Sequence, residues 1–265
     1  MFNQLALSFL LSGLVAVLAY WRGSLAPSGV AGALLVGTII CGLGGWVWGI
    51  LLALFFVSSS LLSHYKEREK QAVAEKFDKG HQRDLGQVLA NGGGGALVAL
   101  IYGIFPSSWW FLLFLGIMGT VTADTWATEL GTLSKRPPRL ITTGRIVPVG
   151  SSGGISLFGT AVSFMGGLLI GLTAGLLTQM NLVGLTITGG IGGLAGSLCD
   201  SFLGATVQQI YYCDVCEKET EKKAHCGQPT RPIRGWGWMN NDVVNFLSSF
   251  FGGGTAVLVY SLLVT

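Results

Sequence analysis

Thr122-Ala123-Asp124-Thr125-Trp126-Ala127-Thr128-Glu129-Leu130-Gly131 closes a long apolar run and sets two carboxylates where lipid or packed helix is expected. An Asp at the centre of a membrane helix costs roughly 2.5–3.5 kcal/mol on insertion scales, so such residues face a polar cavity and mark function by default. The phrase returns in weaker form as Ser197-Leu198-Cys199-Asp200-Ser201-Phe202-Leu203-Gly204-Ala205-Thr206, again at the end of an apolar run. Two such segments predict one shared pocket.

The rest of the chain supplies the setting. Of 265 residues, 50% are hydrophobic and 11% charged, against roughly a quarter charged in a soluble domain. That imbalance selects an all-α, polytopic transmembrane helix bundle. Forty-one glycines with only seven prolines suit membrane helices that approach closely through small residues. A net charge of +3, spread over loops, predicts no nucleic-acid partner. Met1 to Tyr20 lacks a basic leader and a small-residue cleavage site, so it reads as a retained first helix.

Apolar runs near the 20 residues that a span requires fall at 2–21, 28–44, 46–64, 85–105, 108–132, 156–178, 182–206 and 242–263. Eight spans are predicted within one integral membrane domain, 1–265. Seven is the alternative, if the second and third are partly re-entrant around Gly42-Leu43-Gly44-Gly45. Lys and Arg collect in short cytoplasmic loops. Six lie between Lys66 and Arg83, four between Lys135 and Arg145, five between Lys218 and Arg234, and the sixteenth is Arg22. With eight spans all sixteen fall on one side, which predicts both termini outside and cytoplasmic loops at 65–84, 133–155 and 207–240. The fourth to fifth and sixth to seventh spans both end in Asp, as a parallel internal repeat would.

Each long loop has its own character. Lys66 to Asp84 alternates in sign, as a solvated helix with i,i+4 pairs does. It leads into Gln87-Val88-Leu89-Ala90-Asn91-Gly92-Gly93-Gly94-Gly95, where the glycines predict close approach by another helix or by a ligand phosphate. The loop from Lys135 ends in Gly150-Ser151-Ser152-Gly153-Gly154-Ile155-Ser156 directly before a span. Backbone N–H groups at such a turn, with a helix N-terminus behind them, suit an anion, and the alternative is a plain helix cap. Cys213, Cys216, His225 and Cys226 give three thiols and one imidazole, which reads either as a structural Zn²⁺ site or as unmetallated thiols. Asn241, Asp242 and Asn245 open the last span, to cap it or to offer oxygens to a metal.

By depth, Asn91, Asp124, Glu129, Asp200, Asp242 and Asn245 all lie within two or three turns of the cytoplasmic ends. Carboxylates and amides without a positioned His or Cys suit Mg²⁺. Beside a cationic, glycine-rich loop they are the parts of a phosphoryl- or nucleotidyl-transfer site, and the Leu, Phe and Val helices around them suit a lipid chain. There is no G-x-x-x-x-G-K-[ST] loop.

The Thr122–Gly131 phrase, Pro148 to Ser156, Gln87 to Gly93 and Gly196-Ser197-Leu198-Cys199-Asp200-Ser201 together resemble an integral membrane family of unknown function (transmembrane protein 19-like) whose characterised relatives include phytyl-phosphate kinase of tocopherol biosynthesis. The resemblance covers nearly the whole chain. It departs from that family at Ser151-Ser152, where relatives often carry Thr-Asn or Thr-Asp. It implies phosphorylation of phytyl phosphate, an isoprenoid lipid phosphate, to the diphosphate by CTP or a related nucleoside triphosphate within membrane lipid. A phosphate monoester is already ionised near pH 7 and needs no general base, so every buried carboxylate is available to the metal. Asp124, Glu129 and Asp200 are then the catalytic candidates and, with Asp242, the Mg²⁺ ligands. Asn91, Lys135, Arg145, Gly150, Ser151, Ser152, Gly153 and Gly154 are the nucleotide-phosphate candidates, with Asn241 and Asn245 as further contacts. Two alternatives stay open: a transporter or flippase of a phosphorylated lipid or ion, and a CTP-dependent isoprenoid alcohol kinase. Interhelical hydrogen bonding is the plain alternative for Asp124 and Asp200.

Overall fold

The computed structural model describes residues 2–66 and 82–264. The charged helix expected within 66–84 therefore falls mostly outside the described residues. Among the described residues eight helices are long and apolar enough to cross a membrane. They are α1 (Phe2–Trp21), α2 (Pro27–Ile39, extended by a π-helical turn Ile40–Gly44), α3 (Trp46–His64), α4 (Leu85–Ile104), α5 (Ser108–Gly131), α6 (Leu157–Leu177), α7 (Leu182–Thr206) and α8 (Asn241–Val264). In lipid a helix is the local answer because it satisfies its own backbone, and the observed ends lie within two residues of those predicted. The break between α2 and α3 is sharper than the glycine-rich sequence suggested. It is made at Gly45 alone, in a left-handed conformation (φ 94°), while Ile40–Gly44 prolongs α2.

Helix α5 is the axis of the bundle, buried almost without interruption from Phe111 to Ala123. It meets α6, α7 and α8 on one side and α3 and α4 on the other. On the side of α3 and α4 the core is large and aromatic. Trp48 stacks on Phe114 with ring centroids 4.2 Å apart, beside Leu115, Ile117 and Met118. On the other side the seams are glycine on glycine. A Cβ at Gly167 of α6 would stand 2.5 Å from the Gly189 carbonyl of α7, and one at Gly193 would stand 2.8 Å from the Gly119 carbonyl of α5. Thr120 plugs the three-helix junction. Its hydroxyl bonds to Gly116 O at 2.8 Å, and its side chain fills the space that a Cβ at Gly196 or Gly252 would need. The four glycines Gly92–Gly95 prove to be helix contacts too, facing Val36, Phe246, Phe250 and Phe114 in turn.

The odd-numbered helices end, and the even-numbered ones begin, at a single face of the bundle, which carries all the long connections. The α4–α5 and α6–α7 hairpins run in the same sense, each finishing on its Asp. The connections hold short strands that the sequence reading left as loop. β1 (Arg139–Leu140) pairs antiparallel with β2 (Gly154–Ile155). The last connection folds into a three-stranded antiparallel sheet of β3 (Ile210–Cys213), β4 (Lys218–Thr220) and β7 (Arg231–Arg234), in the order β4-β3-β7, plus a hairpin of β5 (Ala224–His225) and β6 (Gln228–Pro229).

Candidate functional site

On that face a cavity of about 890 Å³ is enclosed by the ends of six helices, the β1–β2 loop and the last connection. Asp124 and Asp200 stand at its α5–α7 wall. Ser197 donates to Asp124 Oδ1 at 3.3 Å, and Ser248 of α8 donates to Asp200 Oδ2 at 3.0 Å. Asp200 sits three residues past Ser197, on the same helix face, and lines the same cavity as Asp124. Neither carboxylate forms an ion pair among the described residues, whereas Arg231 and Asp214 pair at 3.5 Å on the exposed loop.

Glu129 lines the same cavity but from another side. Five residues along a helix of 3.6 residues per turn rotate a side chain by about 140° relative to Asp124. Glu129 therefore faces α3, where Ser63 donates to its Oε1 at 2.6 Å. Asp242 also lines the cavity. It lies in the first turn of α8, where Asn240 Oδ1 accepts from the Val243 N–H at 3.0 Å. The four predicted magnesium ligands thus share one chamber without forming a cluster. Among the described residues only Cys213, Cys216, His225 and Cys226 gather three or more ligand atoms within 4.8 Å of one another.

Two buried polar atoms on the cavity wall, Ser163 Oγ of α6 and Asn245 Oδ1 of α8, have no hydrogen-bond partner among the described residues. Leaving such atoms unmatched costs about 1–3 kcal/mol each, a penalty that a bound group or water would relieve. Two carboxylates holding one hydroxyl each, without an ion pair among the described residues, and an orphaned amide oxygen fit a hard, oxygen-seeking cation such as Mg²⁺. Asn91, also lining the chamber, turns its amide N–H back onto Gln87 O at 2.9 Å. The adjacent Asn241 lines it as well.

The β1–β2 loop presents Gly150 to Ser156 to the cavity. Gly150 and Gly153 adopt left-handed backbone (φ 78° and 83°). Gly153 is pressed so closely on α7 that a Cβ would meet that of Ala205 at 2.5 Å, and Ser152 bonds to Gln208 Oε1 at 2.7 Å. The N–H groups of Ser151 and Gly154 are bonded within the loop, and Ser156 caps α6 at 3.0 Å. Lys135 and Arg145 are exposed and do not line the cavity.

The cations that do line it are Arg83, Lys222 and Lys223, none of which the sequence reading singled out. Arg83 is pinned on both sides of its main chain, its N–H to Ser24 O and its carbonyl to the Ala26 N–H, each at 3.0 Å. Its guanidinium donates to Ser60 Oγ at 2.8 Å and lies 5.5 Å from the Phe56 ring centroid. Burial pushes its pKa below the ordinary value, and the negative charge of Glu129 opposes that fall. The available signal was position, since Arg83 directly precedes the Asp84–Gln87 capping box of α4. In the last connection the backbone N–H of Cys216 and the imidazole of His225 draw the Cys213 thiol down to about 6.

A family described as "Integral membrane protein DUF92" matches residues 10–253. Protein PGR of Arabidopsis thaliana is 34% identical over 273 residues, 92% of each chain. An uncharacterized membrane protein of Methanocaldococcus jannaschii is 33% identical over 260 residues, 98% of this chain and 96% of its own. Protein VTE6, chloroplastic, of Arabidopsis thaliana is 28% identical over 250 residues, 91% of this chain and 66% of its own. No solved structure matches the chain.

Proposed function

We propose that this chain, which belongs to the DUF92 family of integral membrane proteins, is a membrane-embedded kinase that moves a phosphoryl group from CTP or a related nucleoside triphosphate to phytyl or another isoprenyl phosphate. The resemblance described above supports the reaction. One observation carries the site: Asp124 and Asp200 share a chamber with Arg83, Lys222 and Lys223 at the loop-bearing end of the helices. We place that end in the cytoplasm, from the distribution of Lys and Arg.

The charge inventory of the chamber matches a transfer between two phosphates. Arg83, Lys222 and Lys223 bind and orient phosphate oxygens of donor and acceptor. Magnesium, when held by Asp124 and Asp200 with Asn245 Oδ1, supplies charge neutralisation to the triphosphate. A non-bridging oxygen of the lipid monophosphate bonds to the γ-phosphorus as the bond from γ-phosphorus to the β,γ-bridging oxygen breaks, and the nucleoside diphosphate leaves with that electron pair. The acceptor's second ionisation, near pH 6, removes the need for a base, so neither Asp must be spared from the metal. Glu129 keeps the Arg83 side of the chamber electrically balanced, and the Gly150–Ser156 turn closes it.

A transport role would call for polar groups along a path reached from both sides of the membrane. Among the described residues every Asp, Glu, Lys, Arg and His lies in the loops or within about two turns of the loop-bearing end, which favours chemistry at one face. The test is incubation of the purified protein with phytyl phosphate, Mg²⁺ and each nucleoside triphosphate, beside Asp124→Asn. Lipid diphosphate from the native protein alone is expected. No product with any donor, from protein shown to bind the lipid phosphate, would turn the reading to transport.

A further inference from the structure

The two pairs of ligand-type residues in the last connection lie at the tips of two different hairpins. Cys213 ends β3 and Cys216 lies in the turn to β4, while His225 ends β5 and Cys226 opens the turn to β6. His225 presents Nδ1 to both neighbouring sulfurs, at 3.4 Å from Cys216 Sγ and 3.2 Å from Cys226 Sγ. All four ligand atoms fall within 4.8 Å of one another. Tetrahedral zinc, with Zn–S near 2.3 Å and Zn–N near 2.0–2.1 Å, sets its ligands roughly 3.5–3.8 Å apart, and the four atoms bracket that spacing, from 3.2 Å to no more than 4.8 Å.

Adjacency of His225 and Cys226 looks wrong for a shared site, because neighbouring side chains on extended chain point to opposite faces. The backbone resolves this. Cys226 is left-handed (φ 51°) and so is Glu217 (φ 55°), next to Cys216, which turns the thiols inward. Non-glycine residues hold that conformation only where their surroundings impose it. The β5–β6 hairpin, with strands of two residues, does not stand alone in water, and here it meets the end of the β4-β3-β7 sheet at these four side chains.

Between the two ligand pairs runs Glu221-Lys222-Lys223, which lines the phosphate chamber. Thr220 Oγ1 accepts from the Lys222 N–H at 3.2 Å, Thr230 Oγ1 donates to Lys222 O at 2.6 Å, and Gln208 donates to Glu221 at 2.8 Å. We propose that Cys213, Cys216, His225 and Cys226 bind one zinc ion, and that this ion staples the two hairpins so that Lys222 and Lys223 are held at the chamber. The lysine part rests on the kinase reading above, whereas the metal part does not.

The full chain, purified in detergent under reducing conditions without chelator, is expected to carry about one zinc per molecule, lost in Cys216→Ser and His225→Asn. Cobalt in its place should give the thiolate charge-transfer and intense visible bands of a tetrahedral centre. Trypsin, which cuts after Lys222 and Lys223, should cleave there at least about tenfold faster once a chelator strips the metal, and zinc added back should restore protection. That reversal serves if the variants fail to fold. Zinc-free native protein, or zinc unchanged by both substitutions, overturns the site. Zinc present but cleavage unaltered by stripping overturns the staple. Binding of CTP is read separately. If Lys222→Gln with Lys223→Gln keeps zinc and weakens CTP about tenfold, as loss of charge-assisted contacts should, the lysines serve phosphate. If CTP binding is unchanged, the phosphate role of the lysines fails while the zinc site stands.

Discussion

Alanine at Gly167 should loosen the α6–α7 seam and distort the chamber beyond it. A Cβ there meets the Gly189 carbonyl at 2.5 Å, the Gly190 Cα at 3.1 Å and the Gly189 carbonyl carbon at 3.2 Å, all backbone atoms with no side chain to swing aside. Ordinary van der Waals contact begins near 3.4 Å, so α7 has to withdraw by about 0.9 Å. Overpacking of this kind costs about 1–3 kcal/mol, which multiplies the unfolded fraction by roughly fivefold to over a hundredfold. The control is Gly254→Ala on α8, where nothing lies within 4 Å of the new methyl and removal of a helical glycine is neutral or favourable by up to about 1 kcal/mol. Fraction folded in a mild-detergent to SDS titration, followed by tryptophan fluorescence, measures both. Asp200 rides on the displaced helix, and so does Ser197, whose hydroxyl reaches Asp124 of α5 at 3.3 Å. A shift near 1 Å in a transfer site can lower turnover by about a hundredfold. If Gly167→Ala unfolds at the same SDS fraction as Gly254→Ala, the glycine seam does not hold these helices together and the packing argument fails.

Asp124→Asn should leave the fold intact and lower phosphoryl transfer by at least about a hundredfold, read as lipid diphosphate formed per minute. Ser248→Ala removes the single hydroxyl that steadies Asp200 and should raise the Mg²⁺ needed for half-maximal rate about 10- to 100-fold; an unchanged Mg²⁺ titration would remove Asp200 from the metal. Arg83→Gln should raise KM for the phosphate substrates about tenfold or more, one charged hydrogen bond being worth about 1.5–3 kcal/mol, with kcat falling less. A cysteine introduced at either terminus should be labelled by an impermeant reagent from outside intact cells, as the one-sided Lys and Arg require.

The spans were legible because hydropathy and length decide them, and lipid leaves the backbone no other choice. The pairing of Asp124 with Asp200 was legible too, since both end apolar runs at the same face. What failed to show was direction. Asp124 and Glu129 read as one phrase, yet five helical residues send them to α7 and α3 respectively. Lys135 and Arg145 are close in sequence to the glycine turn and still point away, because the β1–β2 pairing spends that loop on itself: Leu140 bonds to Arg145 O at 2.8 Å, and Arg139 to Gly144 O at 2.8 Å. Lys222 and Lys223 looked like ordinary loop charges, since strands of two to four residues carry no periodicity to read. The serines that hold the carboxylates were hidden among many others in a membrane chain, and only the helix contacts select Ser63, Ser197 and Ser248.

The unequal ends of the bundle also bear on how it is made. One end is closed by Gly45, by 105–107 and by 178–181, turns without an ionisable side chain; the other holds every Lys and Arg among the described residues, each costing about 2.5–3.5 kcal/mol to draw into lipid. Insertion is therefore cheapest as three hairpins, α2–α3, α4–α5 and α6–α7, pushed in turn-first with their charged feet left behind. Asp124 and Asp200 arrive on different hairpins, and so does Arg83 from its partner Ser60. Until the glycine faces dock, no chamber exists, and a half-inserted chain has nowhere to hold a nucleotide.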